Sequence, residues 1–381
     1  MMATTQKPAT IAKIEWHNFD FWLLGAVGIF VIFGITMIRS AVAGNIEVAN
    51  SPSRQLIFAS VGFLVIFLIA MVDYHLWSSI NRPLYWGTFG TLFLLNIVAQ
   101  ALFGSARWFQ VGLIFIQPSE IAKIVIILVL ADFFSKNKDK IGDVRTIFRS
   151  FITAMGIIIW VLLQPNLSTS IVMFVIWFSM LFVAGMKIKH IILFTTIGLV
   201  LIALLVPILI QIDVIKTYQI DRVTSFLFPD PEARYGDAYN IEQALISIGS
   251  GGWFGQGYGH GSQVQLRFLK VRWSDFIFAS LTQEFGFVGA LGVILMMIFI
   301  VFRCLRVAYL SRDAYGSLIA FGVAVLIAFQ AIVNIGVNLR LMPATGLTLP
   351  FISYGGSSLL TNLIGIGLVE SVILRHKSLE F

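Results

Sequence analysis

Apolar residues come in runs of roughly 17 to 25 positions along most of this chain, the length at which a helix crosses the hydrocarbon core of a bilayer. The runs fall at about 20–42, 55–72, 83–103, 117–135, 149–164, 168–186, 190–212, 275–302, 314–338 and 354–374. They predict an all-α polytopic membrane protein with ten transmembrane helices. A long polar stretch, 213–274, separates the seventh run from the eighth and ends at an acidic residue, Asp275, which opens the next apolar segment. The chain reads as one membrane domain over 1–381, with a tail at 1–18 and a large loop at 213–274.

Composition agrees with that pattern. With 58% hydrophobic and 12% charged residues and a mean hydropathy of +0.90, a water-soluble globule is excluded. The net charge of +7 follows from topology. With the N-terminus inside, Arg82, then Lys136, Lys138, Lys140, Arg145 and Arg149, then Lys187 and Lys189, then Arg303, Arg306 and Arg312, and finally Arg375 and Lys377 fall in inward connections, as the positive-inside rule requires. Cations scattered over several short loops make no nucleic-acid footprint. Ten spans return the C-terminus to the cytoplasm and turn the 213–274 loop outward, away from ATP and nicotinamide cofactors. Residues 1–18 carry Lys7 and Lys13 but no compact apolar core with a cleavage site, which predicts a cytoplasmic tail and an uncleaved first span. The single cysteine, Cys304, rules out an internal disulfide, and no haem or zinc spacing is present. No internal repeat points to a transporter of inverted halves.

Seven glycines crowd the segment GSGGWFGQGYGHGS at 249–262, yet it contains neither G-x-G-x-x-G nor G-x-x-x-x-G-K-[ST]. It predicts a compact loop turning at several positive-φ positions rather than a nucleotide cradle. Before it, Ile241, Leu245 and Ile248 recur at helical spacing, predicting a short amphipathic helix on the membrane surface.

Charges within the apolar runs are costly unless paired or wetted. Glu120 and Lys123 are three residues apart, share a helical face and can pair; Gln117-Pro118-Ser119-Glu120 reads as a helix start. This pair is expected to line a cavity or to serve as architecture. Asp275 lies on a face with Ala279, Thr282, Gly286 and Gly289, all small or hydroxylated, which could leave open space beside its carboxylate. Capping the helix is the equal alternative for an aspartate in that place. Near the end, two prolines and several glycines interrupt 334–360; broken backbone at membrane depth belongs inside protein or beside a wet cavity. There Gly355, Gly356, Ser357 and Ser358 suit close helix packing. Arg340, with Arg107, Arg222 and Arg54, could hold an anionic substrate or anchor the interface.

Taken in order, RWFQVGLIFIQPSEIAKI (107–124), QPNLSTS (164–170), IGSGGWFGQGYGHGSQ (248–263), WSDFIFASLTQEFGFVG (273–289) and PATGLTLPFISYGGSS (343–358) carry a resemblance. The chain resembles the SEDS family of bacterial shape, elongation, division and sporulation proteins (RodA, FtsW, SpoVE), and is most like its RodA branch. The resemblance implies a peptidoglycan glycosyltransferase that polymerises lipid II, an undecaprenyl-pyrophosphate-linked disaccharide-peptide, at the outer face of the bacterial cytoplasmic membrane. It makes Asp275 the general base that takes the proton from an acceptor 4-hydroxyl. It places Glu120, Lys123 and Arg107 around the substrate or its cavity; the residues themselves add Arg222, Arg340, Ser357 and Ser358 to the expected substrate-binding or cavity set. The pyrophosphate leaving group needs cationic stabilisation, from arginine, lysine or a divalent ion such as magnesium or manganese; no protein metal site is assigned. Implied partners are a class B penicillin-binding protein and other elongation-complex membrane proteins, with a role in cell-wall elongation and shape; the apolar faces of the eighth and ninth spans are candidate docking surfaces that the sequence does not assign.

Three departures stand out. The family's Q-P-D-L-G-T is Gln164-Pro165-Asn166-Leu167-Ser168-Thr169 here, its H-T-D is Trp273-Ser274-Asp275, and Arg340 stands where many members have glycine. The competing classes are a lipid II flippase and a non-catalytic membrane scaffold. Polar residues clustered toward the outer half of the spans favour chemistry over transport.

Overall fold

A computed structural model describes residues 16–103, 109–111, 114–164, 166–190, 192, 193, 196, 198, 217–228 and 236–375. The tail before 16 and most of the predicted seventh span lie outside the described residues. Among the described residues, six helices are long and apolar enough to cross a membrane: Phe21–Ala41, the helix through Ser51–Met71, Val144–Leu163, Ile277–Leu310, Ala314–Asn338 and Gly356–Ile373. The protein is therefore an all-α, multi-pass membrane protein. Helices also form at Asn81–Phe103, Pro118–Lys136 and Leu167–Val183, over the third, fourth and sixth apolar runs. The strands Phe109–Val111 and Ile114–Ile116 make a small antiparallel hairpin with Phe109 opposite Ile116.

The bundle is organised around its last two helices. Over the most apolar 18-residue window of each helix, 83% is buried in Gly356–Ile373 and 67% in Ala314–Asn338, against 28% in Ile277–Leu310, so the first two are central and the third is peripheral. Small residues permit this packing. A Cβ on Gly367 would sit 3.1 Å from the Ile66 Cα, and one on Gly365 3.1 Å from a Val323 methyl.

Helix Ile277–Leu310 has 34 residues, about 51 Å at 1.5 Å per residue, well beyond a hydrocarbon core of about 30 Å. It is broken at Gly286, whose φ of 69° and ψ of −166° are open essentially to glycine alone. Exposed apolar side chains begin just after the break, at Phe287, Val288, Leu291, Leu295 and Ile298, whereas Ile277–Glu284 are buried. Phe287–Leu310 alone reaches about 36 Å, so the first turns form a stub enclosed by protein.

The glycine-rich loop supplies the hydrogen bonds that the break removes. Amides of Gln256 and Gly257 donate to the carbonyls of Gln283 and Glu284 at 2.9 and 3.0 Å, and amides of Phe287 and Val288 donate to Gly252 and Trp253 at 2.8 and 3.1 Å. A Cβ on Gly251 or Gly255 would collide with the carbonyls of Thr282 or Glu284. The expected positive-φ turns are present at Gly252, Gly255, Gly257 and Gly259. Trp253 is 69% exposed and packs edge-on against Phe287 at 5.3 Å, as aromatic residues do at a membrane interface. The helix before the loop, Gly236–Ser250, lays Ile241 and Ala244 against protein, chiefly the 277–310 helix, rather than on a bilayer surface.

Candidate functional site

Asp275 does not cap the helix that follows it. The N-cap is Phe276, with no side-chain bond of its own. The first-turn amide of Ala279 is met at 3.0 Å by Oδ1 of Asn338, from the end of the 314–338 helix. The other side of that carboxamide, Nδ2, donates to the Asp275 carbonyl at 3.0 Å, and Asn334 Nδ2 donates to the same oxygen at 3.0 Å. Acceptors on one side and a donor on the other fix the amide's orientation.

The backbone leading into Asp275 is strapped down residue by residue. The Arg272 carbonyl accepts from Ser280 Oγ at 3.1 Å, the Trp273 carbonyl from the Tyr354 amide at 2.9 Å, and the Ser274 carbonyl from Ser353 Oγ at 2.8 Å. Gln55 holds that strap from the second span, donating to the Ser353 carbonyl at 3.1 Å and accepting from the Gly355 amide at 3.3 Å. The broken 343–355 segment thus fixes the backbone leading into Asp275.

Around the carboxylate, Ser274 Oγ donates to Oδ1 at 2.8 Å. A Cβ on Gly346, where φ is +72°, would lie 3.7 Å from Oδ2. Next to Gly346, the Thr345 carbonyl accepts from Arg222 Nη1 at 3.4 Å and also from Ser168 Oγ. Arg222 on Thr217–Leu227 is thereby brought to the same neighbourhood as Asp275. Asn166 caps Leu167–Val183 through Oδ1, 3.4 Å from the Thr169 amide, and reaches Ser119 Oγ at 3.4 Å. Asparagine therefore retains the capping capacity of an aspartate at this position.

Glu120 and Lys123 form the predicted pair, Nζ to Oε2 at 2.8 Å, with Glu120 7% and Lys123 0% exposed. Ser357 Oγ accepts from the Gln117 amide at 3.2 Å at the start of that helix. Ser358 bonds Thr348 through their hydroxyls at 2.8 Å, and Gly356 packs against Phe58. Hydrogen bonds link Ser119, the neighbour of Glu120, to Asn166, and Ser168 to Thr345, the neighbour of Gly346. Among the described residues no three His, Cys, Asp or Glu side chains gather as metal ligands.

Arg340 ends a helix. Its φ is 55°, its amide donates to Val337 at 3.0 Å, and the Leu341 amide donates to Gly336 at 2.7 Å. This pair of bonds is the Schellman motif, whose left-handed residue is usually glycine. Its side chain is exposed, as is that of Arg54. Arg107 lies outside the described residues.

Three groups escaped the sequence reading. Asn334 and Asn338 sit at helical i,i+4 spacing in an apolar run, a signal that was present. Arg272, three residues before Asp275, is 3% exposed; nothing in the pattern distinguishes it from a loop cation. At the opposite end of the bundle Asp20 is bound by Arg303, Nε to Oδ2 at 2.8 Å and Nη2 to Oδ1 at 2.6 Å, and its amide donates to Glu370 Oε2 at 3.0 Å. Buried polar groups are therefore not confined to the Asp275 half, and Glu370 within the last apolar run was the available clue.

A multi-pass membrane protein that holds one carboxylate on a strapped loop above a buried lysine–glutamate pair is the class defined by this fold and site. The family model of the FtsW, RodA and SpoVE cell cycle proteins matches residues 16–378, and the chain belongs to that family. A probable peptidoglycan glycosyltransferase FtsW from Geobacter sp. (strain M18) is 34% identical over 95% of this chain and 98% of its own. Stage V sporulation protein E of Bacillus subtilis (strain 168) is 37% identical over 92% and 94%. Among solved structures, a chain described under structural coordination of polymerization and crosslinking by a peptidoglycan synthase complex aligns with a TM-score of 0.77 at 29% identity, covering 94% of this chain and 98% of that one. The rod shape determining protein RodA of Thermus thermophilus aligns with a TM-score of 0.68 at 28% identity, covering 94% and 97%.

Proposed function

We propose that this protein is a peptidoglycan glycosyltransferase that polymerises lipid II into β-1,4 glycan strands, with Asp275 as general base. The observation that carries the reading is the division of labour between Asp275 and Asn338: the helix-capping task is met by the asparagine, while the aspartate is held on a backbone fixed at four consecutive carbonyls. Family membership and the names of its relatives supply the substrate class.

The Asp275 carboxylate takes the proton from the 4-hydroxyl of the acceptor sugar as that oxygen bonds the anomeric carbon of the donor. The donor's carbon–oxygen bond to pyrophosphate breaks, and its electron pair leaves on the lipid pyrophosphate. A single in-line displacement inverts an α-linked donor to a β linkage. Arg222, next to Thr345, provides positive charge where the leaving pyrophosphate develops negative charge, and Arg107 is proposed to join it. Glu120 and Lys123 hold the polar floor of the cavity.

The ten-span topology, the outward placement of the 213–274 loop, cytoplasmic termini and residence in the bacterial cytoplasmic membrane belong to the same reading. So do the RodA branch and a role in elongation. A groove of about 610 Å³ between the 277–310 and 314–338 helices, lined by Met297, Ile298, Val301, Ala331, Ile335 and Leu339, is proposed to seat the membrane helix of a class B penicillin-binding protein.

The test is lipid II polymerisation by the purified protein with its penicillin-binding partner, comparing wild type with Asp275→Asn at matched folding and partner binding. Strands from wild type alone support the reading. Equal strands from both reject Asp275 as the base, and none from a competent wild-type complex rejects glycosyl transfer.

A further inference from the structure

Among the described residues, Lys123, Arg303 and Arg375 each meet an acid or several carbonyls, and Arg272 does not. Lys123 has Glu120 at 2.8 Å and Arg303 has Asp20 at 2.6 Å. Arg375 donates to the carbonyls of Ala70, Ser371 and Met71 at 3.0, 2.9 and 2.7 Å. Arg272 is 3% exposed, yet its Nε and Nη2 meet no hydrogen-bond partner, and Nη1 makes one long bond of 3.4 Å to the Leu269 carbonyl. A buried guanidinium with two of its three nitrogens unpaired is costly, and an ion or ligand from outside the chain is one way such a group is completed.

Its surroundings add positive rather than negative charge. Burial and the charge of Arg267 both pull the Arg272 pKa down. Arg267 is exposed, bonds the Gly44 carbonyl and has a φ of 64°. Val271 has a φ of 51°, a left-handed position that β-branched residues scarcely adopt. The Trp273 ring lies 5.6 Å from the Arg272 guanidinium, shielding one face of it. Arg267 and Arg272 thus stand at the two ends of one short segment with two strained positions, directly before Asp275.

We infer that Arg272, with Arg267 at its rim, forms a binding site for a phosphate-class anion: the phosphate or pyrophosphate of a lipid headgroup, or free phosphate. Planar guanidinium forks match phosphate oxygens with two parallel bonds, and Nε and Nη2 are the pair of donors that such a contact uses. The strained turn at 267–271 is the part that moves to admit the anion. If the anion is the pyrophosphate of a polyprenyl donor, the site deepens the glycosyl-transfer reading and rests on it; the site's existence does not.

The test measures binding and stability as well as turnover. Full-length protein in phosphatidylcholine nanodiscs is titrated with undecaprenyl pyrophosphate, phosphatidylglycerol or inorganic pyrophosphate, using wild type, Arg272→Gln, Arg272→Lys and Arg267→Gln. Affinity for at least one of these is expected to fall ten-fold or more in Arg272→Gln and less in Arg272→Lys, and the anion affected identifies the source. Without ligand, Arg272→Gln is expected to raise the Tm, because an unsatisfied buried charge is removed; a purely structural arginine would lower it. Affinities for all three anions unchanged in Arg272→Gln overturn the inference, as does a lowered ligand-free Tm. Arg272-dependent binding in a complex that makes no strands leaves the anion site standing and removes the glycosyl-transfer reading. Strand formation with Arg272-independent binding does the reverse.

Discussion

Asn338 bonds Asp275 and replaces it in one act: its Nδ2 donates to the Asp275 carbonyl at 3.0 Å while its Oδ1 caps the Ala279 amide at 3.0 Å. Replacing Asn338 by Leu leaves a buried amide unsatisfied, at about 1–3 kcal/mol, and loosens the aspartate. Glycan polymerisation is expected to drop about ten-fold or more, through kcat rather than KM. Unchanged kcat in a destabilised protein would reduce Asn338 to a packing role.

Lys123 is fully buried against Glu120, so removing one partner strands the other charge. Lys123→Met is expected to cost about 3–5 kcal/mol, and the double variant Glu120→Gln/Lys123→Met to recover much of it. Thermal unfolding in one detergent would reveal this coupling, and additive losses would contradict it.

Gly286→Ala forces a side chain onto a backbone position essentially reserved for glycine and against the Trp253 carbonyl carbon, 2.5 Å from the new Cβ. Strain of about 1–3 kcal/mol should release the glycine-rich loop. Hydrogen exchange at the Gln256 and Gly257 amides, which donate to Gln283 and Glu284, should then speed up selectively. Equal exchange in both proteins would mean that the loop is held by something else.

Arg340 occupies the left-handed position of a Schellman motif. Arg340→Gly is expected to stabilise the protein by roughly 1 kcal/mol. A rise in Tm with full activity would assign Arg340 to helix termination alone, and a loss of lipid II affinity would restore it to the substrate site.

At the end of the bundle away from Asp275, burial pushes the Asp73 carboxyl up, but bonds from the His75 amide and ring and the charge of Arg375 outweigh it and leave the group below its ordinary value of 3.8. A depressed carboxylate contributes stability above its unfolded pKa and loses it as pH falls through the folded one. Stability should therefore decline below about pH 4, in the range of an unperturbed aspartate, and Asp73→Asn should flatten that part of the profile. Identical acid limbs for the two proteins would remove Asp73 from the account.

What the sequence determined by itself was periodic or local. Run length marked the helices, and the ninth run, 314–338, matches the helix Ala314–Asn338. Three-residue spacing marked the Glu120–Lys123 pair, and glycine density marked a loop of left-handed turns. Tertiary structure alone decided what depends on partners distant in the chain. Residue 286 looked like a small residue on a helical face, but its neighbours in the 251–257 loop make it a break that ends the membrane-crossing part of its helix. Asp275 looked equally like a cap or a reactive group, and it is Asn338, 63 positions away, that makes the capping bond. Arg272 looked like any loop cation, because whether a guanidinium finds an acceptor depends on how the chain folds over it. Hydrophobic periodicity is written along one helix, whereas satisfying a polar group requires two segments to meet.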